Sequence, residues 1–165
     1  MRVSSQQETD IEKVYEMYAD MLFRISYSAL LSKEDAEDAV HEVFMKYLNR
    51  KPHFKSSEHE KAWLIRVTLN QCKDIGRRKK IRKYTPLDEI IESPKVKEDS
   101  IGILEQVFAL PEKYKTAIIL HYFEGYSIEE ISSALKLTKS AVKMRLLRGR
   151  EYLKKEMDKE GNDYV

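Results

Sequence analysis

Residues 127–153 read SIEEISSALKLTKSAVKMRLLRGREYL, and this stretch predicts two helices separated by a tight turn. Ser127 and Glu130 have the spacing of a capping box, and the short helix that they open should end near Leu135. Thr138 is suited to cap a second helix, in which apolar residues recur at helical spacing and cations are frequent. A short capped helix, a tight turn and a basic helix in this order predict a helix-turn-helix.

The second helix of such a motif enters the major groove of DNA, where side chains of its first two turns reach base edges. The residues predicted to contact DNA are Thr138, Lys139, Ser140, Lys143, Met144, Arg145 and Arg148. Arg145 and Arg148 lie further along the helix, where we expect contacts with phosphate oxygens that add affinity but little sequence discrimination. The alternative interpretation is a solvated basic face.

The composition of the chain favours an all-α fold. Five glycines and four prolines in 165 residues are too few for a turn-rich β-sandwich or a glycine-rich phosphate loop. The 30 basic and 28 acidic residues leave a net charge of only +2, so only the distribution of charge is informative about partners. Cys72 is the single cysteine, which excludes an intramolecular disulfide, and without Cys or His neighbours it makes no structural zinc site. We predict no cofactor and read Cys72 as ordinary helix packing.

Apolar residues at three- and four-residue spacing predict three helices in the N-terminal half. The first covers residues 11–29, and the second follows Ser32 as its N-cap. An exposed loop at residues 50–56 contains Pro52, and a capping box over residues 57–60 should open the third helix. No segment approaches the roughly 20 apolar residues of a membrane-spanning helix, and we expect a cytoplasmic protein.

The sequence between the two halves differs in character from both. Residues 84–100 contain Pro86 and Pro94, clustered acidic residues and scattered apolar positions, which is typical of a linker. The predicted domains are therefore residues 1–84 and 101–165, joined by residues 85–100. The predicted fold class is all-α, with two small helical domains joined by a flexible linker, the second containing the helix-turn-helix.

The second helix carries acidic residues opposite its apolar face. These are Glu34, Asp35, Glu37, Asp38 and Glu42. Such a face is normally a solvated surface or a surface that docks on a partner. A metal site that uses His41 with Glu37 or Asp38 would need a second such pair on another helix, and the sequence offers none. A magnesium-dependent nucleic-acid enzyme would likewise need a second carboxylate cluster.

A dense basic run, residues 77–83, follows the third helix. Aromatic and amide side chains accompany it in this half of the chain, namely His53, Phe54, Trp63, Asn70 and Gln71. Stacking surfaces beside cations are the combination that binds unpaired bases. Core packing is the first interpretation of Trp63, and a solvated helix end is the alternative for the basic run.

Residues 35–44, DAEDAVHEVF, resemble the polymerase-docking helix of the extracytoplasmic-function (ECF) group of bacterial RNA polymerase sigma factors. A second likeness is to the promoter-melting helix of that group. The residues that resemble it are Ala62-Trp63-Leu64-Ile65-Arg66 followed by Asn70, Asp74, Arg77 and Arg78. A third likeness is to the second domain of these sigma factors, which contains a helix-turn-helix. The segments that resemble it are residues 110–114, 122–131 and 142–146. The order and spacing of these segments are specific, and the likeness covers nearly the whole chain.

The resemblance implies a sigma factor without catalytic activity of its own, because the polymerase performs nucleotidyl transfer. It implies that the second helix contacts the β′ coiled coil of core polymerase through Asp35, Asp38, Glu42 and Phe44, and that the β subunit is a further partner. The minus-ten promoter element would be recognised and opened by His53, Phe54, Lys55, Trp63, Arg66, Asn70, Asp74, Arg77 and Arg78. The helix-turn-helix, in region 4, would read the minus-thirty-five element.

The resemblance also implies control by an anti-sigma protein, soluble or membrane-anchored. Two residues depart from the family pattern. Lys136 stands where the family usually has glycine, and a left-handed backbone there would cost roughly 1 kcal/mol. Met144 stands where a small polar residue is commoner, which affects promoter preference. The rival interpretation is a stand-alone helix-turn-helix regulator, against which the acidic docking helix argues.

Overall fold

The computed structural model describes residues 5–50, 52–79 and 101–162, and every regular element among them is helical. The chain divides into two compact units, Met1–Arg82 and Lys83–Val165. The prediction of an all-α fold with two small helical domains is therefore confirmed.

The predicted linker lies wholly outside the described residues, and two other predicted segments lie partly outside them. The residues concerned are 80–83 of the basic run, 85–100 of the linker, and Lys51 of the exposed loop. The domain limits at residues 84 and 100 accordingly stay predictions. Among the described residues, no helix is long and apolar enough to cross a membrane.

The first unit consists of three helices that pack on one another: α1 (Ser5–Leu30), α2 (Lys33–Arg50) and α3 (Ser57–Arg78). Each helix buries one apolar stripe, as the spacing predicts. The largest fully buried side chains of this unit are Leu22, Tyr27, Leu30, Val43, Leu64 and Ile65. Cys72 is 3% exposed and packs with Ala29, Leu30 and Ala39, which confirms its interpretation as helix packing.

The turn between α1 and α2 is short and capped. Leu31 adopts a left-handed backbone with φ 53°, and its N–H donates to the Tyr27 carbonyl at 2.8 Å. Ser32 Oγ then accepts from the Asp35 N–H at 3.2 Å, which confirms Ser32 as the predicted cap of α2. Two residues thus suffice to reverse the chain, and α2 is held against α1 along its length.

The N-terminus of α3 corrects one prediction. Ser56, not Ser57, is the N-cap, because Ser56 is extended and its Oγ accepts from the His59 N–H at 3.1 Å. Glu60 does not close a capping box, since its carboxylate accepts the Tyr47 hydroxyl proton of α2 at 2.8 Å. The Glu60 side chain, which the local pattern assigned to the cap, instead joins α3 to α2.

The second unit contains α4 (Ile101–Phe108), α5 (Glu112–Ile118), α6 (Ile128–Leu135) and the long α7 (Lys139–Asn162). A π-helical turn, Ile119–Phe123, extends α5, and Gly125 follows it with φ 73°. α7 packs on α5 and α6, burying Val142 and Leu146. Gly149 permits this close crossing, because a Cβ there would lie 2.7 Å from Ile118 Cγ1.

Candidate functional site

The helix-turn-helix is held by local hydrogen bonds of the kind its sequence predicts. Ser127 Oγ accepts from the Glu130 N–H at 3.1 Å, and Glu130 Oε1 accepts from the Ser127 N–H at 3.2 Å. Thr138 Oγ1 accepts from the Ala141 N–H at 3.1 Å and so caps α7. These bonds fix where α6 begins and where α7 begins, which sets the direction of the second helix.

Lys136 closes α6 in the left-handed conformation, with φ 53° and ψ 47°. The Leu137 N–H that follows donates to the Ser132 carbonyl at 3.0 Å, and the Ser132 hydroxyl donates to the Leu137 carbonyl. The turn therefore has the backbone expected of a glycine, although a lysine occupies it. Its strain is balanced by these reciprocal bonds between Ser132 and Leu137.

The structure brings the predicted DNA-contacting residues onto the open side of α7. Val142 and Leu146 are buried at 0% and 2% exposure, while Lys143 and Met144 between them are exposed. Arg145 is half-buried, and the remaining members of the predicted set are exposed, namely Thr138, Lys139, Ser140, Lys143, Met144 and Arg148. The helix thus buries one side in the unit and leaves a cationic side open.

Two of these cations carry intramolecular partners. Lys139 Nζ lies 2.9 Å from Glu129 Oε1, and this hydrogen bond lowers the pKa of Glu129. Arg148 lies 3.7 Å from Glu151 on the same helix. Both pairs are solvent-exposed, so they contribute little to stability and phosphate oxygens can replace the carboxylates.

A cluster of aromatic rings lies where the loop before α3 meets α2 and α3. The Trp63 ring stands edge-on to Tyr47 and Phe54, with centroids at 5.9 and 5.8 Å. Phe54 also meets the His59 ring at 5.4 Å. Burial raises the pKa of the Tyr47 hydroxyl. The hydrogen bond to Glu60 and the negative charge of the Glu60 carboxylate raise it further. Trp63 is half-buried, so it packs within this cluster and still presents part of its ring to solvent.

The other residues predicted to bind the minus-ten element form a stripe along α3. Trp63, Arg66, Asn70, Asp74 and Arg77 follow one another at three- and four-residue intervals, so they share one side of the helix. Exposed members of the predicted set are His53, Lys55, Asn70, Arg77 and Arg78, and half-buried members are Phe54, Trp63, Arg66 and Asp74.

Gln71 does not belong to this surface. It is 7% exposed, and its side-chain oxygen accepts from Lys46 Nζ of α2 at 2.7 Å. The expectation that Gln71 offers an amide to bases is therefore wrong. Asn70, its neighbour in the chain, remains exposed, because adjacent residues on a helix face different directions.

The acidic side of α2 is exposed at Asp38 and Glu42 but not at Asp35. Asp35 is 4% exposed, and its carboxylate accepts a hydrogen bond from Lys79 Nζ at the end of α3. This hydrogen bond raises the pKa of Lys79. Phe44 is also buried, at 6% exposure, and its ring packs on Tyr15 at 4.9 Å. Two of the four predicted polymerase contacts thus lie inside the unit and two lie on its surface.

Two grooves flank the acidic side of α2, and local sequence patterns gave no sign of either. One runs between α2 and α3 and encloses about 480 Å³, with Glu42, Lys46 and Arg78 in its lining. The other runs between α1 and α2, where Tyr15 and Phe23 of α1 lie beside Asp38. Asp38 and His41 line both grooves, so they lie on the ridge between them. Among the described residues, no group of His, Cys, Asp or Glu is arranged to hold a metal ion.

The chain combines a helix-turn-helix unit that has an open cationic helix with a three-helix unit that has an exposed acidic ridge. This combination defines a DNA-binding transcription factor that also has a protein-docking surface. Comparison with known families agrees. Residues 14–82 match the Sigma-70 region 2 family, and residues 102–153 match the Sigma-70 region 4 family.

Curated relatives support the same family over most of the chain. RNA polymerase sigma factor SigV of Bacillus subtilis (strain 168) is 33% identical over 143 residues, which cover 84% of this chain and 85% of that protein. ECF RNA polymerase sigma factor SigW of the same organism is 28% identical over 162 residues and 87% of both chains. The chain belongs to the ECF group of RNA polymerase sigma factors.

Two solved structures share the fold. CnrH, in complex with the cytosolic domain of CnrY, is 21% identical with a TM-score of 0.72, over 92% of this chain and 89% of that one. The sigma factor RpoE of Bartonella quintana, in complex with the anti-sigma factor NepR, is 20% identical with a TM-score of 0.70, over 90% and 97%. Sigma factors are transcription initiation factors, not enzymes, and this chain binds RNA polymerase core and promoter DNA as its family does.

Proposed function

We propose that the two units divide the work of promoter recognition. The first unit docks on core polymerase through α2 and engages the minus-ten element through α3 and the loop before it. The second unit reads the minus-thirty-five element through α7. The observation that carries this proposal is the separation of charge, with an exposed acidic ridge on α2 and an open cationic side on α7.

For polymerase docking, the exposed carboxylates Asp38 and Glu42 are the contacts with the β′ coiled coil. They lie one turn apart on α2 and border the same groove between α2 and α3. Asp35 and Phe44 are buried and support docking indirectly, by holding α2 in position. Asp35 accepts a hydrogen bond from Lys79, and the Phe44 ring packs on Tyr15 of α1. Their substitution would weaken docking by displacing α2, not by removing a direct contact.

For the minus-ten element, the aromatic cluster and the stripe on α3 supply stacking surfaces, a hydrogen-bonding amide and positive charge. These are groups that bind single-stranded DNA. The half-exposed ring of Trp63 and the rings of Phe54 and His59 offer stacking surfaces. Asn70 offers an amide for hydrogen bonds, and Arg77 offers positive charge at the end of the stripe. Stacking of unpaired bases on these rings stabilises the open form of the promoter, and the polymerase performs the chemistry.

Two solved structures of similar fold support a proposal about how this factor is controlled. CnrH and RpoE are each seen bound to a protein partner, which for RpoE is an anti-sigma factor. We propose that an anti-sigma protein, soluble or membrane-anchored, holds this chain inactive by covering the α2 ridge. The chain acts in the cytoplasm, where the RNA polymerase of a bacterium is found.

The experiment that tests the division of work is transcription in vitro with core polymerase and a randomised promoter pool. The chain should direct initiation from promoters that share two separated elements. Asp38→Lys with Glu42→Lys should lower polymerase affinity at least tenfold, because two attractive contacts become repulsive. The matched control is Glu12→Lys with Glu16→Lys, which makes the same charge change on exposed residues of α1.

The opposite pattern is expected for the second unit. Lys143→Ala should leave polymerase affinity unchanged and weaken binding to the upstream element. No promoter-dependent initiation from any member of the pool would overturn the proposal. Tight binding to duplex DNA without polymerase, together with unaltered behaviour of the α2 double variant, would instead favour a stand-alone regulator.

A further inference from the structure

The outermost side of α7 carries an apolar strip. Successive residues of a helix are separated by about 100° around its axis, so Met144 falls opposite the buried Val142 and Leu146, and Leu147 lies next to Met144 on the exposed side. Met144 is 50% exposed and Leu147 is 42% exposed. Ser140 precedes them on the same side, one turn before Met144. Between Ser140 and Glu151, the side chains of α7 that face directly away from the buried stripe are therefore apolar and not basic.

Cations flank this strip on both sides. Lys139 and Lys143 lie on one side of it and Arg148 lies on the other, and all three are exposed. This arrangement matches the major groove, where phosphates of the two strands line the rims and base edges form the floor. A protein partner would need carboxylates on both sides of an apolar surface to match this pattern, whereas phosphates border every major groove, so charge complementarity points to duplex DNA as the occupant.

The floor of the major groove offers one apolar group to such a strip. That group is the C5-methyl of thymine, while the other base edges present hydrogen-bond donors and acceptors. A methionine thioether is at most a weak acceptor, so Met144 cannot satisfy a polar base edge. Its unbranched, flexible chain can instead follow a methyl group across the groove floor.

We propose that Met144 is a specificity-determining residue that selects thymine in the upstream promoter element by contact with its C5-methyl. This inference rests on the proposed entry of α7 into the major groove. Leu147, one turn further, continues the same apolar surface toward the rim. Removal of one buried methyl group should weaken the affinity about fourfold, on the usual scale for burial of a CH₂ or CH₃ group.

The experiment uses the full chain with core polymerase on a promoter selected from a randomised pool. Each thymine of the upstream element is replaced singly by deoxyuridine, which keeps base pairing and removes only the methyl group. Binding is measured for the unaltered chain, for Met144→Ala and for Met157→Ala. Met157 is the matched control, because it is the same residue type on the same helix and is 52% exposed.

One deoxyuridine should weaken binding by the unaltered chain and by Met157→Ala about fourfold, and should leave Met144→Ala unaffected. If no thymine is sensitive while Lys143→Ala still weakens upstream binding, the inference fails and the DNA-binding role of α7 stands. If Met144→Ala weakens binding by the same factor on the thymine promoter and on its deoxyuridine counterpart, Met144 does not contact the methyl group and the inference fails. If Lys143→Ala also has no effect, the proposed function of α7 fails with it.

Discussion

Lys136 offers a test at the scale of one residue. Its left-handed backbone is strained for any residue with a Cβ, so Lys136→Gly should stabilise the second unit by up to about 1 kcal/mol. For a unit of this size, that corresponds to an increase of about 4–8 °C in melting temperature. Lys136→Ala is the control, since it removes the charged chain but keeps the Cβ, and it should give no increase. A melting temperature that rises equally in both variants would assign the effect to charge and not to the backbone.

Individual residues show which parts of this molecule a sequence can predict. Ser32, Ser127 and Thr138 cap their helices as their spacing predicts, because a cap is a bond between neighbours in the chain. The partners of Asp35 and Glu60 could not be predicted, since Lys79 and Tyr47 lie 44 and 13 residues away in the chain. These non-local hydrogen bonds hold the Glu60 side chain away from the cap of α3 and the Asp35 side chain away from solvent.

Helices, taken one at a time, were more predictable than the surfaces between them. The apolar periodicity predicted α1, α2 and α7 and the open side of α7, because exposure on a helix follows from its packed stripe. The grooves on either side of α2 depend on how neighbouring helices are placed, so no single stripe revealed them. The buried position of Gln71 has the same origin, in a bond to Lys46 of another helix.

The crossing of α5 and α7 gives a test at the scale of the element. Gly149→Ala would gain about 1 kcal/mol of helix propensity, but its Cβ would overlap Ile118, and such overpacking costs about 1–3 kcal/mol. The free energy of unfolding should therefore fall. In an Ile118→Ala background the overlap is gone, and the same Gly149→Ala change should raise the free energy of unfolding. Denaturant titration of the four proteins measures this reversal of sign, and a decrease in both backgrounds would contradict the crossing described here.

At the scale of the whole molecule, the proposed function requires that both units act from one chain. A tether makes the second binding event intramolecular, which raises overall affinity by about 10²–10⁴ without any new contact. A protease site introduced within residues 85–100 allows the same sample to be compared before and after cleavage. Initiation from a two-element promoter should fall by about two orders of magnitude or more once the linker is cut.

The cleaved sample also separates tethering from folding. Each half should keep its helical circular dichroism, because the core of each unit is formed by its own helices. Initiation from a promoter with a minus-ten element alone should change little, since it never used the second unit. Unchanged initiation from the two-element promoter after complete cleavage would mean that the polymerase, and not the linker, holds the two units together on DNA.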